Sequence, residues 1–465
     1  MINDFLERFK DFWSDFKKEK IGLVAVILLG ILILTVIFEP LFLPFKDVNK
    51  NWHNISYWED NPASVPPVWS ELFKSKKSAR TENLTEPAVT EEDSRQAGRV
   101  KVYSFAYNYK YDKSPVNVIF RAELSGSVSM DLQVIRPDGN RIDLGNFQKV
   151  DMNAYLSRFA VLPDAKPALQ NFASEYGASP MSGNASPPQL LFSQASKSMY
   201  RDKAPLKGEY IFRFTVPLEV INNPANKIEN PRLIVQGAVS GIMGTDINKR
   251  DLFSGIIAGL KWALLIGLVT SIISVLVGVL YGIISAYLGG KVDSIMMFIF
   301  DIFISIPMIP VLLVASAIFQ PSIWMIIIAF VIFGWTGSVK TVRSMALQIK
   351  EETYIEAAKA LGSSKARIIF KHMAPLLLPY SFAIMASSVP GTIIAESSLS
   401  LLGLGDPTIV TWGQILHDAQ HSGATLNGLW WWIIPPGLLI ALMGMIFAFL
   451  GFAMDKILHP KLRTR

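Results

Sequence analysis

From residue 262 to residue 290 the chain carries no charged side chain. A helix of that length, rising 1.5 Å per residue, outruns the roughly 30 Å hydrocarbon core of a bilayer. In hydrocarbon every backbone polar group must find its partner within the segment, so a helix is what such a run can become. Gly278 and Gly282 sit four apart in it, a spacing that lets two helix backbones approach closely. Five further apolar stretches of spanning length follow the same logic: residues 21–38, 292–319, 323–339, 375–397 and 429–454. In the third span Pro307 and Pro310 predict a kink, and Asp301 lies roughly 12 Å along it, at 1.5 Å per residue. Trp430, Trp431 and Trp432 announce the last span as an interfacial aromatic anchor.

Charge orients these spans. The formal net charge is +6, but the cations gather at the ends of apolar runs, which reads as membrane orientation and not as nucleic-acid binding. Lys17, Lys18 and Lys20 precede the first run, Lys291 follows the second, and Lys340, Arg343, Lys350, Lys359, Lys365, Arg367 and Lys371 fill the connection after the fourth. The tail adds Lys456, Lys461, Arg463 and Arg465. Six spans with both termini in the cytoplasm put every one of these clusters inside. The first run reads as a retained span, because Glu39-Pro40-Leu41-Phe42-Leu43-Pro44 offers no small-x-small cleavage site. Before it, residues 1–20 place Phe5, Leu6, Phe9, Phe12, Trp13 and Phe16 on one face, the pattern of an amphipathic helix lying on membrane lipid. There is no cysteine, which excludes disulfides and cysteine-based metal or redox chemistry.

Residues 45–250 differ in character. The part from 51 to 98 is polar and dotted with proline, and reads as linker and loop. Val116, Val118, Phe120, Ala122 and Leu124 alternate, as do Val128, Met130, Leu132 and Val134, and then Tyr210, Phe212, Phe214 and Val216. Pro137-Asp138-Gly139-Asn140 is a hairpin turn, Leu233 with Val235 suggests a last strand, and residues 162–207 read as irregular with a short helix. The expectation is a small β-sandwich on the outer side, serving as a docking surface or a structural cap. It contains no nucleophile–base constellation.

Residues 353–375 read as two short helices with a break. Tyr354, Ala357, Ala358 and Leu361 fall at i, i+3, i+4 and i+7, opposite Glu356 and Lys359. Gly362 stands where a helix wants a left-handed terminator, Ser363 or Ser364 can cap the second helix, and Pro375 opens the next segment. An amphipathic helix resting on the bilayer surface would share this pattern.

Glu356-Ala357-Ala358, Gly362 and Pro375, at this spacing between two spans, resemble the EAA loop of binding-protein-dependent ABC importer permeases. Ala374 replaces the hydrophobic residue usual before that proline. From about residue 241 onward the chain is similar to the C-type subunit of oligopeptide/dipeptide (nickel) importers. Ala395-Glu396-Ser397-Ser398-Leu399-Ser400-Leu401-Leu402-Gly403-Leu404-Gly405 and Trp412-Gly413 carry the likeness, and His459-Pro460 departs from a usual Asp-Pro. Gly244-Thr245-Asp246 and Arg250-Asp251 match a further signature of these permeases. Lys249 there replaces a glycine, which argues against a tight turn.

The resemblance implies an all-α polytopic core with the type I importer permease fold; the β-rich insert read from the residues between its first two spans departs from that family. The residues divide the chain into 1–20, 21–44, 45–250 and a core over 251–465, and the resemblance implies that the core's loop 349–375 couples to an ATPase through Tyr354, Glu356, Ala357, Ala358, Leu361, Gly362 and Pro375. The implied partners are a homologous permease, two ATPase subunits that hold the ATP and magnesium, and a substrate-binding protein outside an inner (cytoplasmic) cell membrane. Peptide-like cargo is implied, with oligosaccharide or nickel as alternatives.

The chain has no GxxxxGK[ST] phosphate loop, so ATP hydrolysis and cofactors are not expected in it. Glu396 and Asp301 are polar candidates: each either lines the pathway or is a structural carboxylate, Asp301 by pairing with Lys340, Arg343 or backbone. Gly437, Ala441, Gly444, Ala448 and Gly451 form a small-residue stripe that expects a closely packed helix. His417 and His421 are four apart beside Asp418, a spacing able to hold zinc, but no third ligand is evident and no metal is expected. A self-contained channel or secondary transporter is the rival reading, and a membrane-anchored outer enzyme a second.

Overall fold

The computed structural model describes residues 16–94, 98–149, 155–160 and 165–458. Most of the amphipathic segment expected over 1–20, and the tail residues His459, Pro460, Lys461, Arg463 and Arg465, lie outside the described residues. The chain divides into two compact units, Met1–His53 with Ser254–Arg465, and Asn54–Phe253.

The first unit is helical: α1 (Lys20–Ile37), α2 (Leu252–Leu288), α3 (Gly290–Ser305), α4 (Met308–Ile318), α5 (Ile323–Gly334), α6 (Thr336–Lys350), α7 (Thr353–Ala360), α8 (Ala374–Leu401), α9 (Trp412–His421) and α10 (Trp430–Leu458). Among the described residues, five helices are long and apolar enough to cross a membrane, and α3 with α4 makes a sixth if counted as one bent span. That bend is 67°. It falls at Ile306–Pro307, where proline cannot continue the hydrogen-bond ladder of α3. The fourth span does not stop near Val339 as the charge pattern suggested. Helix continues through Lys340 and Arg343 to Lys350, so these cations ride on a rigid extension of the span.

Close helix contacts fall where side chains are smallest. A Cβ placed on Gly278 would come within 2.2 Å of Ser338 Oγ and of the Trp335 carbonyl, and one on Gly282 within 2.9 Å of the Val339 carbonyl. The glycine pair in α2 is therefore the groove that receives α6. Higher on α2, Gly255 and Gly259 make room for the rings of Trp52 and Trp412, and Trp412 Nε1 donates to the Ile256 carbonyl at 2.8 Å. The stripe on α10 is used in part within the chain: Gly451 lies against Ser387 of α8 and Gly444 against Pro390, whereas nothing lies within 4 Å of a Cβ on Gly437.

The second unit contains two antiparallel sheets among the described residues. One has the order β1-β9-β4-β7, with β1 (Glu82–Leu84), β9 (Lys227–Gln236), β4 (Asn117–Ser125) and β7 (Tyr155–Ala160). The other runs β2-β3-β8-β5-β6, with β2 (Ala88–Ser94), β3 (Gly98–Tyr109), β8 (Gly208–Pro217), β5 (Val128–Ile135) and β6 (Arg141–Lys149). Phe105, Phe120 and Phe214 meet between them, with Phe120 and Phe214 stacked at 4.2 Å. The alternations read for β4, β5 and β8 are the buried faces of those strands, except that Val116 precedes β4 and is exposed. The 137–140 turn closes the β5–β6 hairpin with Gly139 at φ +82°.

The stretch 51–98 is not simply linker: it holds β1, β2 and a 3₁₀ turn over Val68–Phe73. β3, twelve residues long and internal to its sheet, was not read as a strand either, although Tyr103, Phe105, Tyr107 and Tyr109 alternate along it. Val100 and Val102 are buried on one face of it and Tyr103, Phe105, Tyr107 and Tyr109 on the other. Both faces are buried only where Val102 gives way to Tyr103; beyond it Ala106 and Asn108 are exposed and only the aromatic face is covered.

Two polar clusters brace this unit. Arg136, 2% exposed, donates to the Leu191 and Ser193 carbonyls at 2.9 and 2.7 Å, pairs with Asp138 at 3.0 Å and lies over the Phe172 ring. It thereby ties the helical segments Lys166–Glu175 and Pro187–Leu191 to the hairpin. The 244–251 segment does form a tight turn. Asp246 pairs with Arg250 at 2.5 Å, and Lys249 adopts φ +65° in place of a glycine. Its carbonyl accepts from Asn61 Nδ2 at 3.0 Å and its ammonium donates to the Glu59 carbonyl at 3.3 Å. Those bonds offset the left-handed conformation, which costs a non-glycine residue about 1–2 kcal/mol.

Candidate coupling site

The hairpin after α6 is built from the cues its sequence carries. α7 ends in a full Schellman closure: Ser363 N–H donates to the Ala358 carbonyl and Gly362 N–H to the Lys359 carbonyl, both at 3.0 Å, with Gly362 at φ +79°. Ser364 Oγ then accepts from Arg367 N–H at 3.3 Å, capping Lys365–Arg367. Residues Ile368–Met373 widen into a π-helical turn before Ala374 and Pro375 begin α8. Pro375 supplies no N–H and its ring crowds the carbonyl a turn back, which accounts for the wider winding there.

One side of this hairpin is clamped. Ile355, Ile368, Ile369, Met373 and Leu377 join one apolar cluster with Val275, Val279, Ile283 and Ala286 of α2 and Val342 and Ala346 of α6. Arg343 grips Asp293 with two bonds, Nε to Oδ1 at 2.7 Å and Nη2 to Oδ2 at 2.5 Å, and Ser285 donates to the same carboxylate. Lys350 donates to the Ala286 carbonyl at 3.1 Å, and Lys359 lies over the Tyr287 ring. The ends of α2, α3 and α6 are thus fastened to each other beside the hairpin. The Asp293–Arg343 pair was not foreseen. Its signal was the Gly289-Gly290 turn, which brings the first turn of α3 back beside the end of α2.

The other side is open. Tyr354 is 42% exposed and Leu361 86%, with Glu356, Ala357, Lys365, Arg367, Phe370, Lys371 and Pro375 also exposed. Ala358 does not belong with that face: it is buried with Ile355, because 100° per residue turns position 358 toward the cluster side. The outward stripe is Tyr354, Ala357 and Leu361.

The two polar candidates diverge. Glu396 is 3% exposed, accepting from Ser400 Oγ at 2.7 Å and Ser397 Oγ at 3.4 Å. Gly405 and Gly413 of the following segment press on these serines, and the Thr411 side chain also hydrogen-bonds Glu396, so within this chain Glu396 fastens the end of α8 to the segment that follows it. Asp301 and Lys340 lie 3.6 Å apart with side chains 61% and 68% exposed, while Arg343 serves Asp293. His417 Nδ1 bonds the Leu401 carbonyl at 2.8 Å and His421 Nδ1 the His417 carbonyl at 3.0 Å.

Residues 278–464 match the binding-protein-dependent transport system inner membrane component family, and residues 7–67 match the N-terminal transmembrane domain of oligopeptide transport permease C. The dipeptide transport system permease protein DppC of Bacillus subtilis (strain 168) is 32% identical over 287 residues, covering 59% of this chain and 88% of that protein. The chain belongs to this permease family. The oligopeptide transport system permease protein OppC of Haemophilus influenzae is 35% identical over 219 residues, 47% of the permease and 70% of that protein. A solved structure of the MetNI methionine ABC transporter in an inward-facing conformation aligns with 45% of the permease and 98% of its own chain, at 18% identity and a TM-score of 0.36. The permease is thus a multi-pass membrane subunit of a binding-protein-dependent ABC importer. Residues 68–277, most of the insert and the first part of α2, fall outside both family matches.

Proposed function

We propose that this permease carries peptide-like cargo, handed over by an extracytoplasmic binding protein, and that its 349–375 hairpin receives the stroke of a separate ATPase. The observation that carries this reading is the two-sided hairpin. One side is locked to α2 and α6, and the other leaves Tyr354, Ala357 and Leu361 exposed beside Lys365, Arg367 and Phe370 among the described residues. A surface held rigidly on one side and apolar on the other transmits rigid-body motion without chemistry of its own. ATP and magnesium belong, on this reading, to two partner ATPases.

Cargo of peptide type is favoured by the dipeptide and oligopeptide names of the relatives over oligosaccharide or nickel. A second, homologous permease faces this one, and the exposed Asp301–Lys340 pair then looks into the aqueous route, since hydrocarbon would penalise it by several kcal/mol. Both termini and the hairpin lie in the cytoplasm of an inner membrane and the insert outside, as the distribution of lysine and arginine favours.

The absence of native cysteine makes the test clean. Single cysteines at Leu361 and at Met181, which is fully exposed in the insert, are probed with an impermeant maleimide on intact and on opened cells. Residue 181 should label in both and residue 361 only after opening; the reverse pattern refutes the orientation. Leu361→Asp should leave thermal stability within about 1 kcal/mol, because an exposed side chain is changed. It should weaken co-purification with the ATPase about 30-fold or more, the effect of losing an interface anchor. Unchanged association would refute the coupling role.

A further inference from the structure

A sizeable cleft lies in the insert. It measures about 600 Å³ and is lined by Tyr109, Phe192, Val116 and Pro205 and by three lysines, Lys76, Lys113 and Lys203. That volume lies within the range that holds small ligands. Its floor is rigid: Tyr109 and Phe192 are each 1% exposed, 5.0 Å apart, and packed on Tyr210 and Tyr107. Its wall is fixed by backbone bonds, Leu206 N–H to the Phe192 carbonyl at 2.9 Å and Ala79 N–H to the Lys113 carbonyl at 3.2 Å.

The charges lining it do not cancel. Asp112 is satisfied by Lys207 Nζ at 2.7 Å and by the Lys77 N–H at 2.9 Å, and Asp202 lies 3.7 Å from Arg201. Lys76, Lys113 and Lys203 form no salt bridge to a carboxylate among the described residues. With Asp112 drawn first to Lys207 and less to Lys76, and Asp202 beside Arg201, three ammonium groups against two carboxylates leave the lining net cationic above an aromatic and aliphatic floor, which favours a ligand with an anionic end and an apolar body. We propose that this cleft binds short peptides through their free C-terminal carboxylate, making the insert a cargo-capture site in the permease itself. The choice of a peptide as the apolar body rests on the function proposed above; the anion site rests on the cleft alone.

The test titrates the full-length permease in lipid nanodiscs, at low salt, with three probes: trileucine, trileucine amide and octanoate. Trileucine should bind saturably, and its amide about tenfold more weakly, roughly the value of one charge-assisted contact. A Lys76→Gln, Lys113→Gln, Lys203→Gln variant should lose that preference while binding the amide as before. Val116→Trp, at a position 42% exposed and therefore compatible with folding, should fill the cleft and weaken both peptides. Equal affinity for acid and amide, no saturable binding at millimolar concentration, or an unaltered lysine variant each overturns the proposal. Octanoate binding as tightly as trileucine overturns the peptide assignment. The titration involves neither nucleotide nor transport, and Leu361→Asp should bind trileucine normally, so failure here is distinguishable from failure of the coupling hinge.

Discussion

In the helical unit, elements meet where side chains are missing: Gly278 and Gly282 admit α6, Gly255 admits Trp52 and Gly259 admits Trp412. In the insert, sheets meet through rings, with Phe105, Phe120 and Phe214 at the centre and Tyr107, Tyr109, Phe192 and Tyr210 at one end. The contrast follows from the solvent. Lipid gives apolar side chains no reason to leave it, so helices gain mainly from close backbone approach and dispersion. Water drives large apolar rings together, and they dominate a small core. Charge is used differently too. The insert buries Arg136 and Asp246–Arg250 as internal braces, whereas the helical unit keeps its grouped cations around the hairpin.

The largest effect that would separate the two units is expected from Arg136→Ala. It removes a buried cation and leaves Asp138 and the Leu191 and Ser193 carbonyls short of a donor, which costs about 3–5 kcal/mol. Proteolysis within 54–253 should rise steeply while the helical circular-dichroism signal of the spans keeps its melting temperature. If both signals collapse together, the units do not stand independently and the contrast fails.

The mirror experiment in the helical unit is Gly278→Val. Its Cβ would meet Ser338 Oγ and the Trp335 carbonyl at 2.2 Å, and overpacking of this kind costs about 1–3 kcal/mol. The loss should appear in the spans and leave the insert's resistance to protease unchanged. Gly437→Val, where nothing lies within 4 Å, should be silent in the isolated permease. A comparable loss at both positions would mean that α2 and α6 are not in close approach.

A smaller effect belongs to pH. Burial alone would raise Glu71, but the Ser78 N–H and hydroxyl and the Lys74 ammonium outweigh it and hold the carboxyl below its ordinary value. A carboxyl depressed in the folded state contributes its full stabilisation above its unfolded value, about 4.5, and loses it as pH falls through the lower, folded value. Insert stability should therefore decline below about pH 4.5 more steeply in the wild type than in Glu71→Gln, by an amount near 1–2 kcal/mol for charge-assisted bonds. Parallel pH profiles would remove Glu71 from the internal braces.

The same two units were unequally legible. The spans and the hairpin announce themselves because hydrocarbon and helix termini admit few solutions: uncharged runs and Gly362 as terminator were direct, the cap was narrowed to Ser363 or Ser364 and the kink to Pro307 or Pro310. Strands β4, β5 and β8 were equally plain, since one buried face leaves a clean alternation. β3 was legible in its alternating Tyr103, Phe105, Tyr107 and Tyr109 and was overlooked, whereas β2, with its exposed Glu91, Glu92 and Asp93, was hidden by having little buried face at all. Ala358 was assigned to the outward stripe because periodicity gives the angle between residues but not which flank of an apolar arc will be covered. The Asp293–Arg343 grip joins residues fifty apart: the Gly289-Gly290 turn signals that α3 folds back beside α2, but no local pattern says that α6 meets it there.

Lys249 gives the smallest and most discriminating test, because there the departure from the expected residue was read as a reason against a turn that nevertheless forms. Replacing it with glycine removes left-handed strain of about 1–2 kcal/mol. The change also gives the unfolded chain about 0.5–1 kcal/mol more entropy to lose and deletes the ammonium bond to the Glu59 carbonyl, so the net change should lie within about 0.5 kcal/mol of zero. Lys249→Ala keeps the strain without the bond and should be less stable than either. Lys249→Val adds a β-branched side chain at φ +65°, a conformation such residues avoid, and should be the least stable of the four. Chemical denaturation of the insert should thus rank glycine and lysine together, then alanine, then valine. Valine behaving like glycine would mean that residue 249 does not hold the left-handed conformation, and that the Asp246–Arg250 brace closes by another route.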